Sequence, residues 1–206
     1  MNVVERMAQL AMIAHNGVNR DGPGNVPYIV HPHAVVCLLK HWGYAEADDP
    51  VTLAVAWGHD VLEDTDTPES EILLVSRELG SRVLDGIRLL TFRPGMPSGH
   101  PDYGRLKAEY IKNVAETAPV EILPVKIADR LCNTLDFKHN GRLERAQEYY
   151  ANGHLLFERI DELKHASMIR QDVLDVGRFL QPPPWVTTEE DIRSTTVCRR
   201  GSQILP

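Results

Sequence analysis

PVTLAVAWGHDVLEDTD, residues 50–66, joins an apolar run to a crowd of acids. A helix starting near Pro50 carries VTLAVAWG into HDVLEDT, and proline suits its first turn because the missing N–H would be unpaired there anyway. Outward from this segment, apolar residues recur at helical spacing almost everywhere, while alternating strand-like runs bounded by turns are scarce. The fold class that follows is all-α. About eight helices are expected by pattern: 3–17 closing near Gly17, His31 to Gly43, the Pro50 helix running through HDVLEDT, Thr67 to Gly80, 81–91, 103–117, 120–137 with Pro124 in its first turn, and one or two across 142–179. RDGPGNVP (20–27) and RPGMPSGHPD (93–102) read as loops, because glycine and proline interrupt the periodic pattern.

With 206 residues and 43% hydrophobic content, the chain can bury one sizeable core. Residues 1–180 are expected as one domain and 181–206, which lose helical periodicity, as an extended tail. A formal charge of -7 argues against a nucleic-acid or membrane-surface binder, since either needs a broad positive field. An anionic small molecule would have to meet a local basic pocket. Cys37, Cys132 and Cys198 are far apart and lack the paired spacing of a zinc site, which points to reduced thiols. No stretch reaches the roughly 20 apolar residues of a membrane span, and acidic Glu5 stands where a signal peptide would be basic. The cytoplasm is the expected location.

Three segments break the apolar pattern. In HDVLEDTD, Asp60, Glu63, Asp64 and Asp66 follow directly on a run that should be buried. Carboxylates crowded in low dielectric resist ionisation, so a cation or a shared proton is the natural relief. On a continuous helix His59 would share a face with Glu63, and Asp60 with Asp64. A helix end with solvated acids is the competing account. In VKIADRLCNTLDF (125–137), Lys126, Asp129 and Asn133 form a polar stripe on an apolar helix, equally consistent with a buried ion pair and with a ligand. In VPYIVHPHAVV (26–36), His31 stands at a helix mouth, with His33 as its nearest decoy. His15, His41, His100, His139, His154 and His165 fall in no ligand-like cluster and are expected to be structural or exposed.

Taken in order, the arginine at 20, the loop, PYIVHP, HDVLEDT and KIADRLCN resemble the hydrolase domain of the RelA/SpoT family, including its small stand-alone members and its metazoan branch. The match spans about residues 1–165. It implies an HD-domain helical bundle and hydrolysis of the 3′-diphosphate of an alarmone nucleotide, ppGpp or ppApp, with release of pyrophosphate. It also implies one divalent metal, usually Mn²⁺, bound by His31, His59, Asp60 and Asp129. Two imidazoles and two carboxylates would neutralise such an ion and suit a hard cation, with Zn²⁺ or Fe²⁺ as alternatives. Glu63 and Asp64 take the catalytic roles by the same resemblance, Glu63 favoured for taking the proton of the attacking water with Asp64 as its partner. Arg20 is the residue that would stack on the base, and Asn133 the one that would contact the ribose. Lys126 and Arg130 are left between the site and the fold.

One departure bears on substrate. Asp21 stands where family members commonly carry lysine, so a phosphate-facing cation is missing. A phosphatase acting on another nucleotide, such as the 2′-phosphate of NADPH, and a non-catalytic alarmone-binding module are the alternatives.

Overall fold

The structure is a computed structural model, which describes residues 1–92, 97 and 99–181. Of the tail expected over 181–206, all but residue 181 lies outside the described residues, as does part of the 93–102 loop. Among the described residues there are eleven α-helices and no strand, only an isolated bridge between Asn19 and Pro27.

Helix α3 (Pro50–Gly58) is the axis of the bundle. Val51, Leu53, Ala54, Val55 and Ala56 are all at most 1% exposed, as a helix apolar on every side requires. Around it pack α1 (Val3–Ala14), α2 (Val30–His41), α6 (Gly80–Leu90) and α8 (Leu123–His139). A Cβ on Gly86 would lie 2.7 Å from Val55 Cγ2, so α6 approaches α3 closely only because this residue has no side chain. The start of α1 is set by a capping box, in which Asn2 Oδ1 accepts from the Glu5 amide and the Glu5 carboxylate accepts from the Asn2 amide, each at 2.9 Å. Gly43, at φ +99°, lets the chain leave α2 in the left-handed region.

Three expectations need correction. The Pro50 helix is not continuous: it stops at Gly58, His59 and Asp60 form a turn, and α4 covers only Val61–Asp64. The His59 ring bonds back to the Ala56 carbonyl at 2.8 Å, competing for the acceptor that an unbroken helix would use for its own ladder. The stretch from Thr67 to Gly80 holds only α5 (Glu69–Leu73), and Gly80 opens α6 instead of closing a helix. A Cβ there would collide with the Leu73 carbonyl. Finally, 142–179 divides into α9 (Leu143–Ala151), α10 (His154–Phe157), a 3₁₀ turn and α11 (Ala166–Phe179). With α7 (Tyr103–Thr117) this makes more and shorter helices than periodicity implied.

Candidate metal centre

The turn between α3 and α4 brings His59 and Asp60 to the mouth of α2 and the middle of α8. His31 Nε2 lies 3.2 Å from His59 Nε2, 3.2 Å from Asp129 Oδ1 and 3.6 Å from Asp60 Oδ2. His59 Nε2 lies 3.2 Å from Asp60 Oδ2 and 3.7 Å from Asp129 Oδ1. One donor atom from each of His31, His59 and Asp60 falls within a mutual 4.8 Å, and Asp129 touches the two histidines without joining that tightest set.

The donor chemistry fits a cation. His59 Nδ1 donates to the Ala56 carbonyl, which fixes the ring with Nε2 facing inward. Two imidazole nitrogens and two carboxylates then face one small space. Burial works against a charged His59, yet Asp60 and Asp129 outweigh it and raise its pKa to about 10. Burial likewise opposes ionisation of Asp60, and His59 and His31 overcome it to hold that carboxyl low. The two carboxylates thus draw positive charge into the cluster, which a divalent ion would supply in place of a ring proton.

Asp129 is fixed on every side by its own helix. Its Oδ2 accepts from Lys126 Nζ at 2.8 Å, its Oδ1 from Asn133 Nδ2 at 2.5 Å, and both Asp129 and Lys126 are buried. Burial disfavours the charge on each partner, but Lys126 holds Asp129 well below the usual carboxylate range and Asp129 holds Lys126 well above the usual lysine range. Lys126 thus belongs to the support of Asp129. Arg130 turns the other way, its Nη1 donating to the Tyr149 carbonyl at 2.9 Å with its guanidinium over the Tyr149 ring.

The two acids, adjacent on α4, face different ways, as consecutive residues of a helix do. Glu63 Oε2 accepts from the Phe92 amide at 2.7 Å and its Oε1 lies 3.4 Å from Lys107 Nζ, so it faces α7. Asp64 turns toward Asp60, the two being joined through Tyr28, whose hydroxyl lies 2.5 Å from Asp64 Oδ2 and 2.8 Å from Asp60 Oδ2. Burial and the nearby Asp60 charge push the Asp64 carboxyl up. The single phenol hydrogen is shared between these two carboxylates. The helical face expected to pair His59 with Glu63 does not form, whereas Asp60 and Asp64 do meet.

Arg20 and Asn133 lie beside this cluster and bond to each other: Arg20 Nη2 donates to Asn133 Oδ1 at 2.7 Å and to Asp136 Oδ2 at 2.8 Å. On the far side of Glu63 opens a cavity of about 390 Å³, lined among others by Tyr103, Lys107, Arg130, Arg145 and Tyr149. Lys107, Arg145 and Tyr149 were not picked out from sequence, since they come from helices with no shared local pattern. Tyr28 was legible in principle, three residues before His31 in PYIVHP. Of the histidines expected to be structural or exposed, His15 is structural: it is 3% exposed and stacks on Tyr28, with ring centroids 4.5 Å apart. His33 is the decoy it was taken for, sitting on the surface with its Nε2 3.6 Å from Cys37 Sγ.

A guanosine-3′,5′-bis(diphosphate) 3′-pyrophosphohydrolase MESH1 from Xenopus tropicalis is 31% identical over 147 residues, 69% of this chain and 76% of that protein. The chain belongs to the MESH1 family. The human MESH1 is 33% identical over 147 residues, again 69% of this chain and 76% of that protein. A solved structure of a metazoan ortholog of SpoT, described as hydrolyzing ppGpp, shares the fold with a TM-score of 0.66 at 24% identity, covering 87% of this chain and 96% of that one. No family model matches the chain. The all-α HD-type bundle expected from sequence is therefore the fold, and membership of this hydrolase family implies a divalent metal and a nucleotide as small-molecule partner. No helix among the described residues is long and apolar enough to cross a membrane.

Proposed function

We propose that this chain hydrolyses the 3′-diphosphate of an alarmone nucleotide of the ppGpp or ppApp type, releasing pyrophosphate, with residues 1–180 as the catalytic unit. The observation that carries the reading is the convergence of His31, His59, Asp60 and Asp129 from α2, the α3–α4 turn and α8, with imidazole nitrogens 3.2 Å apart. These four residues would hold one cation, Mn²⁺ by the hardness of the donors. When bound, such an ion polarises a phosphoryl oxygen and acidifies water.

The protein's own residues do the rest. Asp64, facing Asp60, and Glu63, facing Lys107, flank the site and can take the proton of the attacking water. Water oxygen bonds to phosphorus, the bond to the nucleoside oxygen breaks, and that oxygen recovers a proton as pyrophosphate leaves. Lys107 and Arg145 in the adjoining cavity give the departing phosphates a local positive wall on a chain of net charge -7. Arg20 would stack on the base after exchanging its bond to Asp136, and Asn133, which also holds Asp129, would reach the ribose. The unpaired Cys37 and Cys132 thiols support a cytoplasmic location.

The test is a nucleotide panel with Mn²⁺ in which phosphate and pyrophosphate are measured separately. Pyrophosphate from ppGpp or ppApp supports the proposal. Orthophosphate from NADPH alone replaces it with a phosphatase, and tight nucleotide binding without turnover of any member replaces it with a binding module.

A further inference from the structure

The Tyr28 hydroxyl touches both Asp60 of the cluster and Asp64 outside it, and its surroundings leave it little freedom. Its amide donates to the Val18 carbonyl at 2.9 Å, and two residues of the same short antiparallel pairing are joined by the Arg20 amide to the Val26 carbonyl at 2.9 Å. Its backbone is thereby fixed before α2 begins. Its ring lies nearly parallel to His15, 16° between planes, with the Arg20 guanidinium carbon 5.5 Å from the ring centroid. Neither nitrogen of the buried His15 makes a hydrogen bond, so the stacked face is the contact that His15 offers. What remains is the direction of one hydroxyl, and both of its acceptors are carboxylates of the site.

We propose that Tyr28 is a positioning residue, clamped by the His15 ring, whose hydroxyl ties the carboxylate of Asp60 to that of Asp64 and so sets how Asp60 faces the cation and Asp64 the attacking water. The inference rests on the cation and hydrolysis reading above. A phenol buried only for packing would find a backbone carbonyl or water; this one spans two acids that come from either end of α4. Partners in this position orient ligands without binding the ion, and their loss typically weakens metal affinity or activity by about 10- to 100-fold.

Tyr28→Phe keeps the ring and its stack and removes only the hydroxyl. Titration of the metal-free protein with Mn²⁺, followed by calorimetry or by the spin resonance of free Mn²⁺, is expected to show affinity reduced by about 10- to 100-fold. The kcat should fall with KM near its wild-type value, since no contact to substrate is lost. In an Asp64→Asn background, Tyr28→Phe should add little to the kcat loss, because the two share one interaction. His15→Ala should weaken Mn²⁺ binding in the same direction and His15→Phe, which restores a stacking face, should recover it. Wild-type Mn²⁺ affinity and kcat in Tyr28→Phe would overturn the proposal. Should that variant fail to fold, His15→Phe as impaired as His15→Ala would overturn it instead. A wild-type protein that binds no Mn²⁺ at all refutes the underlying cation reading, which is a separate and recognisable result.

Discussion

The His31–His59–Asp60–Asp129 cluster and the cavity around Lys107 and Arg145 lie on either side of Glu63, and they manage charge in opposite ways. In the cluster, carboxylates and imidazoles are buried against one another, and every oxygen of Asp129 is already committed to Lys126, Asn133 or His31. In the cavity, cations line an open space of about 390 Å³. The cluster is rigid and closed and the cavity is roomy, with Glu63 bonded to Lys107 at the boundary; on the proposed reading the first holds a cation and the second an anion. The difference teaches where to expect selectivity: the closed side should tolerate no substitution, and the open side should trade affinity gradually.

Asp129→Asn attacks the closed side most severely. It removes one carboxylate of the proposed ligand set, and losing or misplacing the ion would forfeit several kcal/mol of transition-state stabilisation, so turnover should drop by about three powers of ten or more, read as kcat with saturating Mn²⁺ and nucleotide. A loss below tenfold would mean that Asp129 is structural only. Lys126→Met tests the rigidity of the same side without touching a ligand. It strands a buried carboxylate, which typically costs about 3–5 kcal/mol, and denaturant unfolding of the metal-free protein should show it. Bound Mn²⁺ should recover part of the loss, because a cation gives Asp129 a new partner.

On the open side, Lys107→Ala should raise KM for the nucleotide by about 10- to 100-fold, the worth of a charge-assisted hydrogen bond of about 1.5–3 kcal/mol. Steady-state kinetics would check this, and a KM equal to wild type would place the phosphates elsewhere. The smallest effect concerns α8 beside the cluster. Burial, and then the Asp129 charge, push the Cys132 thiol up to about 12, so little thiolate exists near pH 8. Alkylation mapped by peptide mass spectrometry should mark the exposed Cys37 well before Cys132.

The candidate residues of the closed side stand out in the sequence, since His31, the His59–Asp60 pair and Asp129 each interrupt an apolar pattern, but only the family resemblance groups them as one set. The helical class followed from the same periodicity. The break after Gly58 was not readable: PVTLAVAWGHDVLED is periodic straight through, and the competing acceptor at Ala56 is a side-chain effect that spacing does not encode. That one break takes His59 off the face of Glu63. Tyr28 and His15 escaped because a stacked pair 13 residues apart leaves no periodic trace. The open cavity escaped for a related reason, being assembled from α7, α8, α9 and α10, each contributing one or a few unremarkable residues.

The account turns on one ion held between four side chains, and metal content addresses it directly. Protein stripped by exhaustive chelation and then titrated with Mn²⁺ should bind one equivalent, with nucleotide hydrolysis absent before the addition and restored in proportion to the bound ion, and His59→Ala should bind none at the same concentrations. Full hydrolysis by the stripped protein, or equal Mn²⁺ binding by wild type and His59→Ala, would contradict it.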